Sequence, residues 1–321
     1  MSRRSGHRFA DKDTRQRSSE TVANCSRRQT CYDGASGGRD GRPRRDAALS
    51  DETARDQRRL VIGAAYKYNV DQVRIFVESL RASGYAGDVI MLVGRLQWRL
   101  KAWLRRHGVR PFPHWSTRKL HGPIQAHRFE RFAKVLQGEA GRYDQVLVSD
   151  VKDVLFQRHP FAGVSEPGCR FFLEAGPWTF ATEPTNRRWA KLFLTAEELA
   201  AIGPCRISCC GVVLGDAANV ADYLTRLAGY LQALPWELKR EGGADTVFHN
   251  KMAHLTHEVP GIIVENDVHV ATMGISPPGT YVAGADGLIR TADGRLPAIL
   301  HQYDRVPDIA AIVAAKYGLS C

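Results

Sequence analysis

Asp150 and Asp153 stand three residues apart in the stretch QVLVSDVKDVLFQRHPF, residues 145–161, at the end of a short apolar run. Two carboxylates brought close together repel each other unless a positive charge lies between them. Hard divalent ions take oxygen ligands. Magnesium in particular binds through one or two carboxylates and leaves its other positions to water and phosphate. The pair therefore suits a site for a metal and a diphosphate. S-D-x-x-D after a strand also has the composition of an ordinary turn, with the first aspartate capping the next segment. An aspartyl-phosphate site fits poorly: its DxD is followed by Thr, whereas Lys152 stands third here and no Thr follows. Lys152 can bring a second cation to phosphates or be a solvated turn lysine.

The elements that must position this pair are legible from residue 60 onward. LVIGAA, from Leu60, has the continuous apolar character of a strand buried on both faces. Val73, Phe76, Val77 and Leu80 then form one helical stripe, with Asn69 and Gln72 as a capping box and Gly84 as the stop. DVIMLVG is the next strand. Leu96, Leu100, Trp103 and Leu104 stripe a second helix closed by Gly108, VRPF is a short strand, and Phe129, Phe132, Ala133 and Leu136 stripe a third helix. The strand Gln145–Ser149 follows and delivers Asp150 at its carboxyl end, one pleat beyond Val148 on the same face. In open α/β sheets ligands bind at that end.

This alternation predicts an α/β fold, one Rossmann-like domain around a mostly parallel central sheet. Beyond 160 the pattern is mixed. RFFLEAG, CGVVLG, GIIVEND and PAILHQYD read as strands. Two helices are expected: one capped by Asp216 with Val220, Tyr223, Leu224 and Leu227 inward, and one in GADTVFHNKMAHL. There is no internal repeat.

Composition narrows the class. The 321 residues carry a formal net charge of +11, and residues 1–59 hold 15 Lys and Arg against 9 Asp and Glu, more than half of the excess. That segment has too few aliphatic residues to bury a core, so it reads as a disordered basic tail, with the globular domain over 60–321. It has no apolar central run of a secretory signal. No apolar run is long enough to span a membrane. The seven cysteines form no CxxC pair, so neither a zinc site nor a disulfide framework is signalled, and a cytoplasmic setting is expected.

Three pieces of the ordered region, FVESLRASGYAGDVIML, RFERFAKVL…YDQVLVSDVKDVLFQRHPF and ENDVHVATMG…ILHQYDR, resemble nucleotide-sugar-dependent glycosyltransferases of the A-type fold. Within that class the chain is most similar to a poorly characterised group with D-x-x-D and a C-terminal HQYDR. The resemblance runs from about Leu60 to Pro307. It implies Mn²⁺ or Mg²⁺ as cofactor, a nucleotide-sugar donor, and a glycan, lipid or protein acceptor, with no nucleic acid. It also implies that Asp150 and Asp153 match the acidic motif and that His301 matches a late histidine completing the metal site. The spacing departs from the usual DxD. Asp245 matches a helix-start carboxylate that faces the sugar, binding hydroxyls or acting as a base; by residue type alone it is equally a helix cap. Asn250 matches part of an HN pair beside it. Gly211 matches a small-residue segment passing beneath sugar or acceptor, although glycine also lets a strand bend. Glu174 and Trp178 can frame the acceptor, Arg131 can approach the diphosphate, and Asp304 and Arg305 can pair or line the site. His249 and His254, five apart, do not share a helical face and are not a metal pair.

A metal-dependent glycosyltransferase is the first expectation. The rival is a non-catalytic α/β protein docking on polyanions through its basic arm, whose affinity would fall steeply with salt.

Overall fold

The computed structural model describes residue 52 and residues 54–114 and 124–319. Most of the basic arm, and with it the rival expectation, lies outside the described residues. The domain begins earlier than the apolar pattern suggests. Asp56 is buried, and its carboxylate accepts from the Ala86 amide at 2.8 Å, Arg59 at 3.0 Å and His159 at 3.1 Å. A buried charge held by three donors packs with the fold ahead of residue 60.

Among the described residues, seven strands form the central sheet in the order β3-β2-β1-β4-β7-β6-β8. These are β1 (Arg59–Ala64), β2 (Asp88–Gly94), β3 (Arg110–His114), β4 (Gln145–Ser149), β6 (Cys169–Leu173), β7 (Ser208–Asp216) and β8 (Gly261–Val264). β1 to β4 run parallel, and β7 runs antiparallel to both β4 and β6. The mostly parallel sheet is thus as expected, with one reversed strand. A second sheet, β5 (Val154–Phe156), β12 (Ile299–His301) and β9 (Val270–Thr272), leans on its carboxyl edge, and β10 (Tyr281–Ala283) pairs with β11 (Ile289–Thr291). β5 and β9 to β11 are three residues each, too short to show a period in the sequence.

Helices cover both faces. α1 (Asp71–Ala82) and α2 (Trp98–Arg106) pack on one side, burying Val73, Phe76, Val77, Leu80, Leu100 and Leu104. On the other side lie α3 (Ile124–Gly138), α6 (Ala217–Ala233) and α8 (Ala244–Lys251), the last continuing as a wider turn through Met252–Thr256. The helices α4 (Pro184–Phe193), α5 (Ala196–Ile202) and α7 (Trp236–Lys239) complete that side. The Asn69–Gln72 box forms in both directions, at 2.9 and 3.0 Å, and Gly84 turns the chain out at φ +92°. Asp216 caps α6 by accepting from the Asn219 amide. One helical position fails: Leu96 precedes α2 and is 82% exposed. None of the helices among the described residues is long and apolar enough to cross a membrane.

Candidate metal and diphosphate site

Val146 and Val148 of β4 face the core beneath α3 and α6, so alternation turns Asp150 to that same side. The antiparallel pairing of β4 with β7 places Gly211 opposite, where its carbonyl accepts from the Asp150 amide at 2.6 Å. Four residues after Asp150 the chain enters β5, whose Val154 is in register with His301 of β12. That pairing carries a histidine from the end of the chain to the turn holding Asp153. The Asp153 carbonyl accepts from the Gln302 amide at 2.8 Å, which fastens the junction.

The three groups converge. His301 Nε2 lies 3.6 Å from Asp150 Oδ2 and 4.0 Å from Asp153 Oδ2, and the candidate ligand atoms all fall within 4.8 Å of one another. His301 is fully buried, yet Nε2 has no hydrogen-bond partner. Its other nitrogen, Nδ1, is 3.6 Å from Cys209 Sγ. A buried donor or acceptor left unmade costs about 1–3 kcal/mol, so the position of Nε2 calls for a ligand. Gly211 explains how the space is kept: a Cβ there would lie 2.4 Å from His301 Cε1, 2.7 Å from Nε2 and 2.8 Å from Asp150 Oδ2. Two carboxylate oxygens and one imidazole nitrogen are a donor set that suits Mn²⁺ or Mg²⁺.

Charge at the cluster points the same way. Burial raises the proton affinity of Asp150, but Arg128 and His301 outweigh it and hold the carboxyl below the usual range. Asp153 is pushed up by burial, helped by Asp150 and Asp304 and opposed by His301. Burial pulls His301 down, and the flanking carboxylates outweigh that and raise it. The hollow therefore attracts positive charge.

Arg128, from α3, is the residue the sequence reading missed. Its guanidinium bonds Asp150 Oδ1, leaving Oδ2 to the cluster, and reaches Asp245 Oδ2 at 3.5 Å. Arg131 was the expected arginine, but it is not among the cavity-lining residues. Arg128 sits four positions before Phe132, at the edge of the buried stripe, and that spacing was the available signal.

Asp245 lies in the first turn of α8, where its Oδ1 accepts from the Thr246 amide at 3.1 Å. The cap position is held by Gly243 at φ +83°, so Asp245 is not the N-cap. Burial raises its pKa, Asp150 adds to the rise, and Arg128 opposes it. Gly243 has a second reason to be glycine: a Cβ would stand 2.0 Å from the Trp189 ring.

Arg128, Asp150, Asp153 and Asp245, but not the buried His301, border one cavity of about 770 Å³ at the carboxyl edge of the parallel strands, within the range of small-molecule sites. Asp150, Lys152, Asp153, Glu174, Gly211 and Asp245 all line it, as do Asp304 and Arg305. Burial raises the Glu174 carboxyl. Asp304 pairs with Lys152 at 3.8 Å rather than with Arg305. Besides Arg131, two expected residues are not among those that line the cavity. Asn250 is fully buried, is not among the cavity-lining residues and binds the Ser208 backbone, donating to its carbonyl at 2.7 Å and accepting from its amide at 2.8 Å. Trp178 does not line the cavity but donates to the carbonyl of Ile275, which does, and Trp189 is the indole among the lining residues.

A second acidic cluster, Glu52, Asp56 and His159, meets the same distance test. There Arg59 already bonds both carboxylates, so the charge is balanced within the fold. The chain matches no family model and no curated protein sequence.

Proposed function

We propose that the protein is a divalent-metal-dependent glycosyltransferase whose donor is a nucleotide diphosphate sugar. The observation that carries this reading is the convergence of Asp150 and Asp153, which line the cavity, with the unpartnered Nε2 of His301, which is buried and does not line it. Bound there, Mn²⁺ or Mg²⁺ would act as a Lewis acid toward pyrophosphate oxygens and balance the charge growing on the leaving diphosphate. Arg128 keeps Asp150 ionised and fixes its distance to Asp245. Asp245, with its raised proton affinity, is suited to hold a sugar hydroxyl or to accept a proton from the acceptor. Lys152 and Arg305 add cations at the wall, and Gly211 keeps the hollow open. The resemblance of the sequence to A-type glycosyltransferases supports the same assignment.

The test is a thermal-shift panel of UDP and GDP with and without Mn²⁺. Ligand binding at a hundred times Kd stabilises the fold by about 2.7 kcal/mol. The shift should need nucleotide and Mn²⁺ together and should vanish in Asp150→Asn. If no nucleotide moves the melting point, the reading fails.

A further inference from the structure

We propose that the exposed patch formed by Lys67, Arg95, Leu96, Trp98 and Arg99 docks on an anionic lipid surface, an interaction independent of the transferase reading. Leu96 and Trp98 are 82% and 67% exposed, the two most exposed large apolar side chains among the described residues. Leu96 lies on the loop between β2 and α2, and Trp98, two residues on, is the first residue of α2. Lys67, Arg95 and Arg99 around them are exposed, and the Arg99 guanidinium lies 5.0 Å from the Trp98 ring centre. From residue 95 to residue 106 the sequence holds Arg95, Arg99, Lys101, Arg105 and Arg106 and no acidic residue, while Arg110, at the start of β3, is paired with Glu139. Asp71, the first residue of α1, is paired with Arg74 at 3.2 Å.

The patch has a defined orientation. Gln97, between Leu96 and Trp98, donates to the Ala65 and Tyr68 carbonyls at 3.2 and 2.7 Å and accepts from the Lys67 amide at 3.0 Å. The loop it clamps lines the cavity through Tyr66 and Tyr68. Leu96 and Trp98 thus stand at the carboxyl edge of the sheet, beside the cavity mouth. A tryptophan and a leucine ringed by cations suit the boundary between headgroups and acyl chains, where indole rings concentrate and each nearby cation adds attraction to anionic lipid. A nucleic acid would meet the cations but offers nothing for Leu96 to enter. Docked this way, the cavity mouth lies next to the membrane plane.

The full chain should be sedimented with phosphatidylcholine vesicles containing either no or 40% phosphatidylglycerol. Binding to the anionic vesicles and not to the neutral ones is expected. Leu96→Ser/Trp98→Ala should weaken it by about tenfold or more without lowering the melting temperature. Brominated acyl chains should quench tryptophan emission in the parent and markedly less in Trp98→Phe. Unchanged vesicle binding in the double variant would overturn the proposal, because the basic arm alone would then account for it. Binding to single-stranded RNA that is lost in the same variant, with no vesicle binding by the parent, would also overturn it.

Discussion

Gly211→Ala adds one methyl group at the point where the candidate site is tightest. The backbone of Gly211 is not in the left-handed region, so the substitution brings no dihedral penalty. Its consequence is steric: the new Cβ would lie 2.4 Å from His301 Cε1, about 1 Å inside ordinary contact. Neither neighbour is free to retreat. His301 is fully buried and its strand is paired on both sides, with Val154 and with Thr272. Asp150 is held by Arg128. Overpacking of this kind costs about 1–3 kcal/mol, which for a domain of this size lowers Tm by roughly 4–8 °C for a 2 kcal/mol loss. The alanine methyl also enters the space between Asp150 Oδ2 and His301 Nε2, so the Mn²⁺-dependent nucleotide shift should disappear. Differential scanning fluorimetry with and without UDP and Mn²⁺ reads both effects. Gly229→Ala is the matched control: Gly229 is an exposed residue of α6 with nothing within 4 Å of its would-be Cβ, and alanine there should stabilise by about 0.5–1 kcal/mol. A Gly211→Ala protein that melts like the parent and keeps the full metal-dependent shift would refute the reasoning.

Other outcomes follow from residues away from the cluster. Asn250→Ala should lower Tm by removing two bonds to the Ser208 backbone, at a cost of about 2–4 kcal/mol, while the folded fraction keeps its nucleotide affinity in a titration. Asp56→Ala should cost about 2–3 kcal/mol in a urea melt, although the sequence places it in the tail; no loss would mean residues 54–58 are not part of the domain. His249 is held down to about 3 and His269 to about 4 by burial, from an ordinary 6.5. Both stay neutral in the fold and gain a proton on unfolding, so their contribution is full above pH 6.5 and declines as pH falls below it. Each accounts for about 1.4 kcal/mol per pH unit. His249→Gln should therefore flatten the fall in stability between pH 6.5 and 4.5 by about 2–3 kcal/mol, as measured by denaturant melts at each pH.

Much of the fold was legible because its long elements carry strong periods. The strand Gln145–Ser149 has the bounds its apolar run implies, and the α6 stripe of Val220, Tyr223, Leu224 and Leu227 is buried as read. Asp150, Asp153 and His301 could be named as candidates, but their meeting depends on β5 pairing with β12 across more than a hundred residues of sequence. No local pattern encodes that register. Arg128 was overlooked in favour of Arg131 because helix periodicity gives a face and not the reach of a long side chain. Asn250 shows a related limit of local pattern: a polar residue beside a candidate site reads as a ligand contact, whereas the bonds it makes are to the backbone groups of Ser208. Leu96 fits a helical stripe by spacing alone, but the helix starts two residues later and leaves it in solvent.

The most direct measurement is anomalous diffraction at the manganese edge from crystals grown with Mn²⁺ and UDP. One peak within bonding distance of Asp150 Oδ2, His301 Nε2 and an Asp153 carboxylate oxygen, with the diphosphate against it, is the predicted result. A peak elsewhere, or nucleotide bound in the cavity with no metal between these three side chains, would contradict it.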